Sequence, residues 1–375
     1  MKTYIWQRPG WPQFHYSLDG LHEAIQGIAL KLGKIDGKMA HLDAAAINDA
    51  LVDVLIEEAI KTSEIEGEYI SRPDVMSSIK NKLGLNERKV RIQDKRAQGV
   101  VDMMLAARES YREPLTDKML FEWHLMLMSS SLLPNLEIGT WRTHTEPMQI
   151  VSRAHGQWKV HYEAPPSNRV PGEMKAFIDW FNDTMPGRPH SFEFAPVRAA
   201  IAHLYFECIH PFEDGNRRIG RAIAEKALSQ GYGHPILLSL SKAIELDKKR
   251  YYHELNKASY SNEVTSWVHY FIDLIIKAQN DIESQIDFIL SKAKFFDEFE
   301  QELNERQLKV IRKMMSYGTK GFEGGMTAKK FIQIAGTSKA TATRDLQHLT
   351  SLGIFKPIGK GRSVRYNLIL GEFVI

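Results

Sequence analysis

The chain has 375 residues, of which 43% are hydrophobic and 25% charged, with a net charge of +3 and one cysteine, Cys208. This composition indicates a folded protein of two or three domains, and it excludes a disordered chain, internal disulfides and a multi-cysteine zinc site. No apolar run is long enough to span a membrane, and the first residues lack the apolar core of a signal peptide. We therefore expect a cytoplasmic protein without a membrane partner.

The charge is unevenly distributed along the chain. Residues 304–375 hold thirteen Lys/Arg against four Asp/Glu, a balance of +9, which leaves −6 for the remaining residues. A basic end beside a mildly acidic remainder predicts a separate C-terminal module with an anionic partner. A solvated basic surface with no partner is the alternative.

Helical patterns dominate the chain before that module. Apolar residues recur every three or four positions in 44–61 and 197–209, which predicts two amphipathic helices. Segments 148–153 and 158–162 flank a short turn and predict a β-hairpin. Residues 266–296 contain few helix breakers and predict a long helix. The expected fold class is therefore mainly α, with one small hairpin in this part.

The strongest local signal is the segment from His210 to Arg221, HPFEDGNRRIGR. Pro211 stops the preceding helix, and a new apolar period begins at Ile219, so a loop opens onto a helix N-terminus. Unpaired backbone amides and the helix dipole favour an anion at such an end. His210, at the loop entrance, can accept a proton from an attacking hydroxyl when the imidazole is neutral.

The other side chains of this loop suit phosphate chemistry. Gly215 allows close approach of the backbone, and Asn216 adds a side-chain donor. Arg218 and Arg221 lie three residues apart on the first helical turn, where they can hold a polyphosphate. Asp214 is a hard oxygen ligand of the kind that Mg²⁺ takes together with substrate phosphates. Taken singly, each residue also fits an ordinary turn or a solvated helix face.

As a whole, the segment resembles the signature of the Fic family, His-x-Phe-x-(Asp/Glu)-Gly-Asn-Gly-Arg-x-x-Arg. The resemblance implies a helical core that transfers AMP from ATP to a Ser, Thr or Tyr hydroxyl of a target protein, with Mg²⁺ as cofactor. It implies His210 as general base, Phe212 as the buried loop anchor and Asp214 as the magnesium ligand. The implied phosphate contacts are Gly215 and Asn216 at the α-phosphate, and Arg218 and Arg221 at the β- and γ-phosphates.

One position departs from this signature. Arg217 stands where the family has a second glycine, and a side chain there would weaken phosphate binding or change the preferred nucleotide if the backbone needs positive φ. A non-enzymatic alternative therefore stays open, a DNA-binding regulator whose Fic core senses a nucleotide without catalysis. A metal hydrolase is a third possibility, because His203, Glu207 and His210 share one helical face.

Three further segments resemble the same family. Residues 139–166, including the hairpin, resemble the flap that positions the target segment. Tyr251 resembles an aromatic near the adenine and can stack on the base, with a core aromatic as the alternative. Residues 62–67, TSEIEG, resemble the inhibitory motif (Ser/Thr)-x-x-x-Glu-(Gly/Asn). The resemblance implies that Glu66 pairs with Arg221 and so misplaces the nucleotide. The alternative is that Glu66 is an ordinary surface glutamate without an inhibitory role.

The basic end predicts three helices followed by a short hairpin, an order that resembles a winged helix-turn-helix. Such a module binds DNA in many proteins, and a protein-binding wing is the alternative. The residues expected to contact DNA are Lys339, Thr341 and Arg344 in the major groove and Lys360 and Arg362 at phosphates.

The expected domain order is an N-terminal extension with the inhibitory helix, a Fic core, a linker and a winged helix-turn-helix. The corresponding boundaries are 1–110, 111–290, 291–303 and 304–375. The sequence leaves open the target protein, the nucleotide preference and whether the chain forms a homodimer.

Overall fold

A computed structural model describes residues 3–131, 133, 135–154 and 157–375, and the side chains at 153, 154, 157 and 362 lie outside this description. The described chain is mainly α, as the sequence predicted. Within these residues no helix is both long and apolar enough to cross a membrane. Half of the turn predicted at 154–157, namely His155 and Gly156, lies outside the described residues.

The helices follow one another along the chain with short connections. In order they are α1 (His22–Met39), α2 (Ala44–Ile65), α3 (Arg72–Lys82), α4 (Lys95–Glu109), α5 (Asp117–Met128), α6 (Val170–Asp183), α7 (Ala195–Ile209), α8 (Asn216–Tyr232), α9 (Leu240–Leu246), α10 (Lys248–Ala258), α11 (Thr265–Phe299), α12 (Glu305–Met315), α13 (Ala328–Ala335) and α14 (Lys339–Ser351). The strands are β1 (Gln149–Ala154), β2 (Gln157–Glu163), β3 (Phe355–Ile358), β4 (Arg365–Leu370) and β5 (Phe373–Val374).

Two compact units make up the chain. The first comprises residues 1–33 and 51–279, and the second comprises 34–50 and 280–375. These limits differ from the predicted domain boundaries because they fall inside α1, α2 and α11. The apolar period of a continuous helix does not change where the helix passes from one packing unit to another, so the sequence pattern does not show that point.

The α7–α8 pair lies at the centre of the first unit. Every residue of α7 after Ala195 is buried, as expected of a helix that is apolar on most of its circumference. Two glycines of α8 allow the close packing. A Cβ on Gly220 would lie 2.6 Å from Oε1 of Glu207, and a Cβ on Gly231 would lie 2.2 Å from that of Ala195. The two helices are therefore in tight contact both near the loop that joins them and at the far end of the pair.

The predicted hairpin is present as the antiparallel pair β1–β2, with a register irregularity between Ile150 and Val151. It is anchored on the elements around the α7–α8 loop. The buried Tyr162 hydroxyl donates to the carbonyl of Cys208 at 2.6 Å, and the amide of Asn256 on α10 donates to the carbonyl of His161 at 2.8 Å.

In the second unit, α12, α13 and α14 are followed by the three-stranded sheet β3–β4–β5. The three helices and the pair β3–β4 follow the order predicted for residues 304–375, and the short strand β5 was not predicted. Asn304 caps α12 through a reciprocal bond with Gln307, which fixes where the helix begins. The core between these helices and the sheet contains Val310, Phe331, Leu346 and Leu368.

Candidate functional site

The backbone of the loop between α7 and α8 turns twice in the left-handed region. His210 ends α7 with φ 51°, and Gly215 precedes α8 with φ 79°. A Cβ on Gly215 would lie 3.1 Å from Cδ2 of Leu127 and 3.2 Å from Sδ of Met128. Both the dihedral angle and the space therefore require glycine at this position.

The side chain of Asn216 shapes the loop. Its Oδ1 accepts from the amide of Phe212 at 2.9 Å, and its Nδ2 donates to the carbonyl of Phe212 at 2.8 Å. The sequence predicted Asn216 as a donor to phosphate, but the structure uses both polar atoms of this side chain inside the loop. Phe212 is fully buried and stacks on His124 at 4.0 Å between ring centroids. It lies where the resemblance placed the loop anchor.

Arg142, from the segment before the hairpin, fixes the entrance of the loop. Its Nε donates to the carbonyl of His210 at 2.8 Å, and its backbone amide donates to the carbonyl of Pro211 at 3.0 Å. The guanidinium is buried, and burial lowers its pKa to about 10. A fixed backbone at His210 restricts the positions its imidazole can take.

The imidazole of His210 is neutral at ordinary pH. Burial, followed by the positive charges of Arg217 and Arg142, lowers the pKa of His210 to about 3. The side chain keeps 12% of its surface exposed, so it is still reachable from the solvent side. A neutral, partly accessible imidazole has the protonation state that a general base requires.

Arg221 is held by the C-terminal end of α2. Its Nε donates to the Thr62 hydroxyl at 2.9 Å, its Nη2 to the Thr62 carbonyl at 2.8 Å, and its Nη1 to Oε1 of Glu66 at 2.9 Å. Thr62 and Glu66 are two of the fixed positions of the motif at 62–67. The predicted juxtaposition of Glu66 and Arg221 is thus present, and only 2% of the Arg221 side chain is exposed.

The two other arginines of the loop are paired as well. Nη1 of Arg217 donates to Oε2 of Glu66 at 3.0 Å, and Nη1 of Arg218 donates to Oε2 of Glu68 at 2.7 Å. The sequence interpretation missed Glu68, which lies outside the motif and has no pattern of its own. Arg217, which departs from the family signature, contributes a second cation to the same carboxylate as Arg221.

A tight turn after α2 sets the two carboxylates side by side. The amides of Glu66 and Glu68 both donate to the carbonyl of Ser63 at 3.0 Å, and Gly67 lies between them with φ 81°. Only a residue that adopts this left-handed conformation reverses the chain here without strain. The predicted helix at 44–61 therefore continues to Ile65 before it turns.

The electrostatics of this cluster favour the ionised forms. Burial raises the pKa of the Glu66 carboxyl, but the charges of Arg221 and Arg217 outweigh burial and bring that pKa below its usual value. For Arg221 and Arg217, burial lowers the pKa, and Glu66 more than compensates, so both pKa values are raised. The carboxylate and the two guanidiniums stay charged at all moderate pH values.

Tyr251 is placed differently from the prediction. It is fully buried, and its hydroxyl lies 2.8 Å from Nε2 of His203, so it belongs to the core and cannot stack on a base. Its neighbour Tyr252 is partly exposed and stacks beneath the guanidinium of Arg217 at 4.8 Å. Adjacent helical positions point about 100° apart, which is why one tyrosine packs inward and the other borders the site.

A cavity of about 660 Å³ adjoins Arg217 and Tyr252. It is walled by the hairpin on one side and by α10 and the turn after α2 on the other. Its lining includes Ile150, Lys159, Lys248 and Asn256. Apolar walls with a few cations and amides are the lining that a nucleoside with phosphates needs.

Asp214 lies beside the N-terminus of α8, where its Oδ1 accepts from the amide of Gly215 at 2.6 Å. One carboxylate next to a phosphate-binding loop fits Mg²⁺, which takes its remaining ligands from phosphates and water. Across the described residues, no group of three His, Cys, Asp or Glu side chains could hold a metal. The metal-hydrolase reading of His203, Glu207 and His210 therefore lacks structural support.

The residues predicted to contact DNA lie on α14 and the sheet that follows. Lys339, Arg344 and Lys360 are exposed. Thr341 is half-buried, and its hydroxyl lies 3.0 Å from that of the helix-capping Ser338, so it is engaged in the start of α14. The Arg362 side chain lies outside the described part of the chain.

The fold and this loop define a mainly helical protein with a tight, left-handed loop between two central helices. Residues 114–228 match the model of the Fic/DOC family, and residues 4–85 match a domain of unknown function, DUF4172. Residues 114–228 therefore form a Fic domain, as the sequence predicted. The motif at 62–67 lies inside the second match.

Curated relatives are similar over part of the chain. The protein adenylyltransferase Fic of Nematostella vectensis is 29% identical over 120 residues, or 32% of this chain and 26% of the relative. That of Drosophila willistoni is 26% identical over 158 residues, or 39% of this chain and 29% of the relative. The similarity spans less than a third of the length of these relatives.

Solved structures share the fold. A Fic family protein from Desulfovibrio desulfuricans G20 has a TM-score of 0.54 at 20% identity, covering 96% of this chain and 98% of that one. A Fic domain containing signaling protein from Bacteroides thetaiotaomicron VPI-5482 has a TM-score of 0.52 at 17% identity, covering 69% and 95%. At these identities the similarity concerns the fold alone.

Proposed function

We propose that this protein is a Mg²⁺-dependent protein adenylyltransferase held in a low-activity state by Glu66. One observation carries the proposal: the carboxylate of Glu66 lies at 2.9–3.0 Å from both Arg221 and Arg217, beside a neutral His210. The names of the curated relatives agree with this reaction. ATP and a hydroxyl-bearing protein are the substrates.

In the reaction, the hydroxyl oxygen of the target attacks the α-phosphorus of ATP. The bond from the α-phosphorus to the bridging oxygen of the β-phosphate breaks, and pyrophosphate leaves. The hydroxyl proton passes to the unprotonated ring nitrogen of His210, whose low pKa keeps the imidazole neutral. Backbone amides at the start of α8, after Gly215, face the α-phosphate. Asp214 would hold Mg²⁺, which when bound neutralises charge on the phosphates.

Inhibition follows from competition for the same cations. Arg221 directs each of its three nitrogens at Thr62 or Glu66, so its guanidinium is oriented towards α2 rather than towards a γ-phosphate in this conformation. Withdrawal of the turn at 66–68 frees Arg217 and Arg218 from their carboxylates and removes the Glu66 contact of Arg221, whose bonds to Thr62 remain. Arg217 then adds a cation that the family signature does not have, which compensates for the missing glycine.

The test is self-labelling by Mg²⁺-ATP in wild type, Glu66→Gly and Glu64→Ala. Glu64 is a matched control because it pairs with Lys61 on the same helix end, away from the loop arginines. Charge-assisted hydrogen bonds contribute about 1.5–3 kcal/mol, so Glu66→Gly should raise labelling roughly 10- to 150-fold. Glu64→Ala should label like wild type. Equal labelling of wild type and Glu66→Gly would discard the inhibitory contact.

His210→Ala in the Glu66→Gly background separates catalysis from binding. A general base typically contributes about 10²- to 10⁴-fold, so labelling should fall by that factor while ATP still binds. Full labelling by this folded double variant would rule out the mechanism. No labelling by any variant with ATP, GTP, UTP or CTP would favour the nucleotide sensor.

We infer in addition that the second unit binds duplex DNA. Exposed Lys339 and Arg344 near the start of α14 and exposed Lys360 beyond β3 support this, together with the balance of +9 over residues 304–375. A helix presented to the major groove with a basic wing at the phosphates is a common arrangement for such modules.

A further inference from the structure

A cluster of unpartnered polar atoms lies beneath the catalytic loop. Glu207, one turn before the end of α7, is 3% exposed, and neither of its carboxylate oxygens has a hydrogen-bond partner among the described residues. Nδ1 of His203 and Nδ1 of His210 are buried and have no well-formed hydrogen bond, and their weaker backbone contacts are to Gly220 and Glu207, respectively. An unsatisfied buried carboxylate is costly, so its presence calls for a physical reason.

The geometry points Glu207 at the catalytic imidazole. Its Oε2 lies 3.9 Å from Nδ1 of His210. On the other side, α8 leaves space for the carboxylate only because residue 220 is glycine, since a Cβ there would lie 2.6 Å from Oε1. His203 is fixed from behind, with its Nε2 at 2.8 Å from the Tyr251 hydroxyl and its ring stacked on Trp267.

We propose that Glu207 is a positioning residue for His210. Its carboxylate accepts the Nδ1 proton of the imidazole, which keeps Nε2 unprotonated for the target hydroxyl and stabilises the imidazolium formed when Nε2 takes the proton. The distance of 3.9 Å has to shorten by about 1 Å for a hydrogen bond. Catalytic hydrogen bonds are often long in the absence of substrate and tighten in the complex. This inference rests on the proposed function.

The charges around Glu207 connect this role to the inhibitory contact. Burial raises the pKa of Glu207 to about 7, Arg217 and Arg221 lower it, and Glu66 raises it. The other titratable groups near it are His203, His210, Cys208, Tyr251 and Tyr252. Withdrawal of Glu66 removes the neighbouring negative charge and leaves the two arginines, which favours the ionised carboxylate. The movement that removes Glu66 from the arginines therefore also makes the Glu207 carboxylate a stronger hydrogen-bond acceptor for Nδ1 of His210.

The experiment compares Glu207→Gln and Glu207→Leu with Glu225→Gln in the Glu66→Gly protein. Glu225 is a matched control because burial also raises its pKa to about 7, while its charged neighbour is Arg108 at 3.8 Å. Two readouts are taken: kcat and KM for Mg²⁺-ATP, and the tautomer of His210 from the ¹⁵N shifts of its ring, assigned with His210→Ala.

We expect both Glu207 variants to lower kcat with KM for ATP unchanged. The loss should lie between about 10-fold, typical of a lost supporting hydrogen bond, and roughly 10⁴-fold, as when the Asp of a Ser-His-Asp triad becomes Asn. The His210 signals should show the Nδ1–H form in the parent and in Glu225→Gln, and lose it in Glu207→Leu. Glu207→Gln preserves volume and serves if the leucine variant does not fold.

Unchanged kcat and an unchanged His210 tautomer in folded Glu207 variants would overturn the inference. The tautomer readout does not depend on turnover. If the Glu66→Gly parent is inactive, the proposed function fails, but the tautomer of His210 still tests the inference. Retention of the Nδ1–H form in Glu207→Leu counts against Glu207 as the acceptor. Loss of that form in Glu207→Leu, together with its retention in Glu225→Gln, supports Glu207 as the acceptor.

Discussion

The carboxylate of Glu68 adds a second contact to the proposed inhibited state, with Arg218 instead of the arginines that Glu66 contacts. It bonds Arg218 at 2.7 Å, but 31% of the Glu68 side chain is exposed against 12% for Glu66. Water screens an ion pair in proportion to its exposure, so this contact is the weaker of the two. The difference in exposure gives the two glutamates different expected effects.

Replacement of Glu68 by alanine should therefore raise ATP affinity modestly. Exposed pairs contribute about 0.2–1 kcal/mol, which corresponds to at most about a fivefold change. Titration of each variant with a fluorescent ATP analogue measures this, with Glu64→Ala as the control. An affinity for Glu68→Ala as high as that of Glu66→Gly would show that Arg218 is the dominant cation instead.

The buried carboxyl of Glu207 predicts that the free energy of unfolding depends on pH. Its folded-state pKa of about 7 lies above the usual glutamate value of 4.5, so the folded protein holds the proton more tightly than the unfolded chain between these values. Stability is then lost as pH rises from 4.5 to 7, by at most about 3 kcal/mol. Urea unfolding should show Glu207→Gln gaining stability relative to wild type across that window. A pH-independent difference would contradict the shifted pKa.

Motif residues were easier to find than to orient. The sequence located the loop from His210 to Arg221 because Pro211 and Gly215 interrupt two apolar periods. It did not reveal that both polar side-chain atoms of Asn216 form hydrogen bonds inside the loop. The residue type shows that a side chain can form hydrogen bonds but not which groups it will bond. For the same reason Tyr251 was placed at the nucleotide, when the helix turns Tyr252 towards the cavity instead.

At the scale of elements, the turn that ends α2 is the moving part of the proposed mechanism. It is short, it is closed by three backbone hydrogen bonds to Ser63 and Glu64, and it carries both inhibitory carboxylates. Helix α2 and the α7–α8 pair were predictable because each has a sustained apolar period. The turn was less so, since the helix extends four residues beyond the predicted Lys61 before Gly67 reverses it.

Strain placed in this turn should weaken inhibition. Gly67→Ala meets no atom within 4 Å, so its cost is the left-handed conformation alone, about 1–2 kcal/mol. Gly84→Ala is the matched control, with φ 69° and equally open space after α3. Both variants should lose similar thermal stability, but only Gly67→Ala should bind ATP more tightly. Equal affinities in the two variants would show that the turn does not control the arginines.

At the scale of the whole molecule, the division into units was the least predictable feature. The sequence showed a change of charge near residue 304, whereas the second unit begins at Asn280 and includes residues 34–50. The charge of a segment depends on the side chains at its surface, whereas its packing unit depends on which apolar faces are in contact. The two therefore need not change at the same residue. The elements themselves, α12 to α14 with the sheet, were predictable from their caps and turns.

The basic end predicts salt-dependent binding of the full chain to duplex DNA. Lysines and arginines that neutralise phosphates release counterions, so affinity should fall steeply as salt rises. Lys360→Gln should weaken binding to all sequences alike and reduce the slope against log salt by about one, whereas Arg344→Gln should change which sequence is preferred. Lys118→Gln, a lysine 84% exposed on α5, is the control and should change neither.

Fluorescence anisotropy of labelled duplexes over a salt series measures both effects. Absence of binding at the lowest salt would make the partner of this end a protein.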